Sequence, residues 1–378
     1  MSDHMHYVPI LRWKAGEKGA LKGLYQNDKE GITPLIEWSR PGEVSPQEDR
    51  ETPTPSPSDF ALDILKHWGP RSFFCDLRWF SDNNLGGDLR ALRSYAQELA
   101  TTGTRAIPVI GLEDGVDFKR VLSPLIAQQG LCLRVKYSEL TQRDLATRIG
   151  DFISTVNLSW SKVDIVFDFE THCREINIAA LCSLSPIGAC RTFTVAAGSF
   201  PMDLRGFKGP QTFYLPREEW VQWLDQIEKS LLRRPSFGDY ATLHPVLTTS
   251  QYGLNPSATI RYTTEDYWLV MKGEGLHNEG GPGYAQYKAN AMLLMRRPDF
   301  SGPDFSAGDE YIVEVARDHT SFGNPTTWIR AGVNHHVTLV VRQVANVARV
   351  GARGERLRAQ SKRPDRWTKM WDPPESTE

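Results

Sequence analysis

Over the first 240 residues, apolar, β-branched and aromatic positions gather into short runs that each close on something charged. Eight such runs can be read, at 8–14, 32–38, 72–79, 105–112, 131–137, 163–170, 191–200 and 235–241. Between most of them the apolar period lengthens to that of a helix. Phe60, Ile64 and Trp68 recur at fourfold spacing after Ser58, a suitable N-cap. Residues 89–99, 116–128, 141–153, 176–184 and 216–232 also read as helices. Pro124 is expected to interrupt the second of these, Thr141 and Asp144 to cap the third in capping-box fashion, and Pro216 to sit in the first turn of the last. Eight strand-like runs alternating with helices predict an α/β fold, a (β/α)8 TIM-type barrel. Pro108 in the fourth run is a mild objection, because proline cannot donate to a ladder.

The pattern changes beyond residue 243. Residues 244–333 form a Gly- and aromatic-rich segment, with strand-like pieces at 259–262, 267–271 and 311–315 and a helix-like piece at 284–295. Val337, Val340, Val341, Val344 and Ala348 then fall at helical spacing after Asn334, a good N-cap. Two organisations fit. In one, 1–243 holds the barrel strands and most helices, 244–333 is an α+β insertion, and 334–349 is the barrel's eighth helix. In the other, the C-terminal segment is a separate small α+β domain. Residues 350–378 read as a basic, disordered tail: between 349 and 369 eight bases face two acids. Residues 41–58, with the run TPTPSPS, cannot form a core and predict a flexible surface loop or a short disordered insert.

Bulk properties narrow the class. At 378 residues the chain can bury a large core, and 46 acids against 44 bases leave no global charge that would argue for nucleic acid or membrane. Five cysteines form no CxxC pair, and no apolar run approaches the roughly 18 residues a spanning helix needs. The expectation is a soluble, cytoplasmic protein without a membrane partner.

In a barrel of this kind functional residues come from the C-terminal strand ends. Those ends carry Lys14, Glu37, Asp76, Arg78, Arg134, Lys136, Asp168, Glu170 and Asp239. In the run VDIVFDFE, Asp168 and Glu170 are two apart and share a face. One reading is a site for a phosphate-bearing ligand, cradled by Lys14, Arg78, Arg134 and Lys136 with Asp239 nearby. Asp168 and Glu170, with Glu37 or Asp76, then hold Mg²⁺ or Mn²⁺ or act as acid and base. The bland reading is an ion-pair plug that only fixes the barrel, since unpaired charge cannot be buried cheaply. Sugar hydrolysis by paired carboxylates is weaker, because neighbouring Arg and Lys favour an anion over a neutral glycan. The adjacent His335 and His336 are read as packing or capping, and not as metal ligands, because neighbours rarely aim at one point. The glycine-dense GGPG at 280–283 lacks the GxGxxG and Walker patterns. Trp79, Phe80, Trp268, Tyr284 and Trp328 could line a binding surface, although scattered aromatics are more often core.

The opening YVPILRWKAGEKGAL followed by ITPLIEW resembles the Beta-protein family of bacteriophages, prophages and mobile bacterial islands. The later stretches SATIRYT, FSAGDEYI and GNPTTWIRAGVNHHVTLV are similar to that family's C-terminal half. The resemblance spans nearly the whole chain apart from the Pro/Ser insert and the tail. It implies a phage-related or anti-phage defence setting and carries over no catalytic residue; Lys14, Glu17, Glu37, Asn334 and His335 match its pattern. Two functions follow as expectations. The first is a barrel that binds, and in its stronger form hydrolyses, a nucleotide or nucleic-acid end as a metal-assisted phosphoester hydrolase or nuclease. The second is a non-catalytic sensor or scaffold that binds a phage protein or a partner effector.

Overall fold

A computed structural model describes residues 6–38, 54–81, 89–227, 233–246, 255–318 and 321–351. The basic tail beyond residue 351 and the core of the Pro/Ser insert, 41–53, lie outside the described residues. Eight parallel strands close into a barrel. They are β1 (Tyr7–Arg12), β2 (Leu35–Glu37), β3 (Ser72–Asp76), β4 (Arg105–Ile110), β5 (Leu131–Lys136), β6 (Val163–Asp168), β7 (Thr192–Ala196) and β9 (Ser236–Asp239), with β1 pairing β9 to complete the ring. Seven fall within the runs read from the sequence, and β1 begins one residue ahead of its run, at Tyr7. Alternation sorts the strand side chains into two sets. Val8, Ile10, Leu35, Phe74, Ile107, Val109, Cys132, Val166, Ala196 and Tyr240 fill the interior. Residues of opposite parity, such as Leu11, Ile36, Phe73, Val135, Phe167 and Phe237, face the helix layer.

One strand, outside the barrel, is missed by periodicity. β8 (Gln211–Pro216) leaves the barrel between β7 and β9 and pairs with β11 (Tyr267–Gly275), which pairs in turn with β10 (Ser257–Thr263). This antiparallel sheet is covered on both faces. Leu269 and Met271 of β11 join a second core with Tyr287, Ile312 and Trp328, whereas Trp268 and Val270 pack with Phe200 and Leu215. Pro216 therefore ends a strand, and the helix expected to start there begins at Glu218 as α9 (Glu218–Ile227). Proline is tolerated at the end of an edge strand, so both contexts fit its chemistry.

Other expectations give way to local geometry. Residues 311–315 are helical, inside α11 (Ala307–Arg317), because Ser306 caps Asp309 N–H at 3.2 Å and Ile312, Val315 and Ala316 make a helical stripe. Helix α5 (Val116–Gln129) runs through Pro124 unbroken. Thr141 and Asp144 form no capping box: Glu139 instead accepts from Lys136 N–H at 2.8 Å at the start of α6 (Tyr137–Leu140), and α7 (Leu145–Val156) starts after Asp144 in a left-handed conformation.

Helix α12 (Pro325–Gly351) also starts earlier than expected. Its cap is Asn324, whose Oδ1 accepts from Thr327 N–H at 3.0 Å, with Pro325 opening the helix. Asn334 is consequently interior to the helix and ties three helices together. It accepts from Gly308 N–H at 2.8 Å and donates to Ala20 O, in α1 (Ala15–Lys22), at 2.9 Å. Trp328 packs in the core of the small sheet, whereas Val333, Val337, Val340, Val341 and Val344 pack in the core around the barrel. One long helix thus has a foot in each core.

Candidate functional site

The inward residues at the C-terminal strand ends converge on Arg134. Two residues beyond Cys132 on β5, its side chain rises through the axis of the barrel and is 1% exposed. Nε and Nη2 donate to Asp168 Oδ2 at 2.9 and 2.6 Å. Nη1 donates to Glu37 Oε1 at 2.7 Å and Asp76 Oδ2 at 2.9 Å, and Nη2 also reaches Tyr240 Oη at 2.9 Å. All five N–H groups of the guanidinium are used. Tyr240 completes the ring by donating to Asp168 Oδ2 at 2.6 Å.

Around this centre is a rim that solvent reaches. Arg78, in the turn after β3, forks onto Asp76, with Nη2 at 2.6 Å from Oδ2. Lys136 Nζ lies 3.2 Å from Glu170 Oε1, with the two side chains 39% and 25% exposed. Glu170 holds a positive φ of 51°, and its N–H donates to Asp168 Oδ1 at 3.0 Å. The Glu37 side chain is 24% exposed.

Electrostatics keep the centre charged. Burial alone would push the Asp76 carboxyl up, but the guanidiniums of Arg78 and Arg134 hold it well below the usual carboxylate range. Burial likewise works against the charge on Arg134, and the field of Tyr240, Asp168, Glu37 and Asp76 more than restores it. Tyr240 is raised well above its ordinary value, by burial and then by Asp168, so it stays a neutral hydroxyl donor.

Seven of the nine residues read from the strand ends therefore meet: Glu37, Asp76, Arg78, Arg134, Lys136, Asp168 and Glu170. Lys14 stands beyond the end of β1, at the N-cap of α1. Asp239 is a correction. Gly238 and Tyr240 take the inward parity of β9, so Asp239 points outward into the helix layer, away from the mouth. There Tyr7 Oη donates to its Oδ1 at 2.5 Å and His336 Nε2 lies 2.9 Å from Oδ2. His336 Nδ1 in turn meets Thr263 Oγ1 at 2.9 Å, while His335 bonds Asp309 Oδ2 and Thr263 O, both at 2.8 Å. The two histidines bond different carboxylates, Asp309 and Asp239, and share only Thr263, through its carbonyl and its hydroxyl respectively.

Asp168 is poorly placed to ligate a metal, since both its oxygens are already engaged and Glu170 is turned onto Lys136. Among the described residues no group of three or more His, Cys, Asp or Glu could hold a metal ion. Trp268 and Trp328, considered as surface aromatics, are 1% and 2% exposed and belong to cores. Phe80 is buried too.

Two mouth residues escaped the strand-end reading. Tyr240 carries no charge to draw attention. Arg12 continues the inward alternation Val8, Ile10, Arg12 and pairs in register with Glu37; that alternation was available in the sequence, but the run was read to its last charge, Lys14.

The architecture is that of an α/β TIM-type barrel with a charged C-terminal mouth and an added antiparallel sheet. The model of the family described as Beta protein matches residues 7–342, and the chain belongs to that family. None of the curated proteins compared with the chain matches it. No described helix is long and apolar enough to cross a membrane.

Proposed function

We propose that this barrel binds a phosphate-bearing ligand, a nucleotide or the end of a nucleic acid, at its C-terminal mouth. The observation that carries this reading is the rim. Lys136, Arg78, Glu37 and Glu170 stay partly open to solvent above a centre of fixed, buried charge. Preorganised charge of this kind is costly to the fold and suits a charged ligand. Lys136 and Arg78, with Lys14 at the edge, are the phosphate-facing cations. Arg134 is a positioning residue, since its N–H groups are already committed.

In the hydrolytic form of the proposal, Glu170 and Glu37 are the carboxylates solvent can reach, and one of them takes the proton from water. Mg²⁺ or Mn²⁺ would enter with the phosphates and need only one such carboxylate from the protein. The setting we propose is a phage-related or anti-phage defence module.

The test is a thermal-shift screen of the purified protein against nucleotides, short nucleic acids and Mg²⁺ or Mn²⁺, with Lys136→Ala and Glu170→Ala alongside. A ligand that binds the folded state raises the midpoint by mass action. The reading expects a shift that both variants lose, and it fails if the shift survives in both.

A second reading has its own observation. Acceptance of every Arg134 N–H by the protein's own groups fits a plug, with the barrel as a non-catalytic sensor or scaffold for a partner effector or phage protein. Met292 and Leu293, 40% and 53% exposed on α10 (Ala285–Met295), then offer a surface for that partner. This reading expects silence in the ligand screen and capture of a partner lost in Leu293→Glu.

A further inference from the structure

The central network balances three cations, Arg78, Arg134 and Lys136, against four carboxylates, Glu37, Asp76, Asp168 and Glu170. Arg12 stands apart from it. Its side chain shares the inward face with Val8 and Ile10 and is 9% exposed. Among the described residues its hydrogen bonds run only from Nη2, to His244 O at 2.8 Å and Pro245 O at 3.4 Å. Nε and Nη1 have no described partner, and no described carboxylate forms an ion pair with this guanidinium. Its direct partners are carbonyl oxygens, and Glu17, the buried carboxylate whose field it shares, makes no hydrogen bond to it among the described residues.

A second feature lies beside it. Chain direction brings α1 up immediately after β1, so its N-terminus opens at the mouth, and Lys14 at the N-cap supplies no side-chain hydrogen bond to the first turn. The Glu17 N–H meets its own carboxylate, while the other first-turn N–H groups and the helix dipole favour an anion. Arg261 reaches the same corner from β10, donating to Thr242 O at 2.7 Å and lying over the Phe200 ring at 4.8 Å. Glu17, in the first turn of α1, is 3% exposed and forms no ion pair among the described residues. Burial raises its carboxyl, against the pull of its own backbone amide, Lys14, Arg12 and Arg261. Its charge is therefore disfavoured by burial, and it takes up a proton beside an incoming anion more readily than an exposed glutamate does.

We infer that Arg12, Arg261 and the N-terminus of α1 form an oxyanion subsite that takes a phosphate group of the ligand, on the opposite side of the mouth from Lys136. The inference rests on the reading that the mouth binds a phosphate-bearing ligand, and it assigns the small sheet a role: β10 delivers Arg261 to the site. Charge-assisted bonds to phosphate are stronger than those to carbonyl oxygens, so a phosphate would draw Arg12 away from the loop at His244 and Pro245.

The experiment is calorimetric titration of inorganic pyrophosphate into wild type, Arg12→Gln, Arg12→Lys, Arg261→Gln, Glu17→Gln and Lys136→Ala, each checked for folding by circular dichroism. Arg12→Gln is expected to weaken binding about tenfold or more, with Arg12→Lys in between, because a lysine keeps the charge but loses the fork. Arg261→Gln should weaken it as well, and serves if Arg12→Gln does not fold. Glu17→Gln should tighten binding, a change that loss of structural support would not produce. Wild-type affinity in folded Arg12→Gln or Arg261→Gln, with loss in Lys136→Ala, would overturn the subsite and leave the mouth reading standing. No binding of pyrophosphate or of any nucleotide by wild type would overturn both.

Discussion

His336 Nε2 lies 2.9 Å from Asp239 Oδ2, and through this buried pair the long C-terminal helix is fastened to the last barrel strand. Tyr7 holds the other carboxylate oxygen at 2.5 Å, so β1, β9 and α12 share one acid. Burial pushes the Asp239 carboxyl up, but His336, the Tyr7 hydroxyl and Arg217 outweigh it and hold it below its ordinary 3.8. Asp239→Ala strands a tyrosine hydroxyl and an imidazole together and should cost about 3–5 kcal/mol in urea unfolding at pH 7. A depressed acid stabilises fully above its unfolded value, and that contribution is lost as pH falls through the folded value. The gap between wild type and Asp239→Asn should accordingly narrow below about pH 4.

Glu219 titrates in the opposite sense. It is 1% exposed, Arg217 Nε stands 3.8 Å from its Oε1, and Ser199 donates to its Oε2. Burial raises its carboxyl from 4.5 to about 7, with Asp239 adding to the rise while Arg217 and Ser199 oppose it. Between those values the folded chain keeps a proton that the unfolded chain has released, so stability from this group is full below 4.5 and falls as pH rises towards 7. Unfolding free energies measured at pH 5 and pH 8 should show wild type losing up to about 3 kcal/mol relative to Glu219→Gln. His336, whose imidazole burial lowers, gives a slope of the other sign, but it is common to both proteins and cancels in the difference. Parallel pH profiles would refute the assignment.

Much of this architecture could be read from residue patterns, because a parallel barrel strand is buried on both faces and announces itself as an unbroken apolar run. β8 did not. QTFYLP is an edge strand, half-exposed along most of its length, and its closing proline was as easily read as a helix start. At the mouth, two-residue alternation within 131–136 and 163–168 put Arg134 and Asp168 on the correct face. In SFGDY the glycine takes the inward position without leaving an apolar mark, so the parity of Asp239 was invisible. Which acid would meet which base depended on the barrel's closure, and single strands carry no information about that.

Arg134 should dominate the stability of the mouth. Arg134→Met removes the shared partner of Glu37, Asp76 and Asp168 and leaves a carboxylate that is 0% exposed facing an apolar side chain. A loss of about 3–5 kcal/mol is expected from breaking a buried pair on one side. Adding Asp168→Leu should recover part of it, because the stranded charge goes as well. A double-mutant cycle in denaturant measures the coupling, which should reach at least about 1–2 kcal/mol; additive losses would mean that the two groups do not act as a unit.

Helix α11 lies close against α12 at Gly308. A Cβ placed there would be driven into the Ala331 carbonyl oxygen, and the glycine N–H already donates to Asn334 Oδ1 at 2.8 Å. Backbone cannot yield as a flexible side chain can, so Gly308→Ala must part the two helices and stretch the Asn334 bond. Intrinsic helix propensity argues the other way, favouring alanine by about 1 kcal/mol. Packing should win, with a net destabilisation of about 2 kcal/mol or more, in the range of overpacked cores. Asn334→Ala gives the complementary result, since it leaves Gly308 N–H and Ala20 O buried without their partner and should cost about 2–3 kcal/mol. If Gly308→Ala instead raised the unfolding midpoint, the helices would be less tightly apposed than this geometry requires, and Asn334 would not be the clasp that joins α1, α11 and α12.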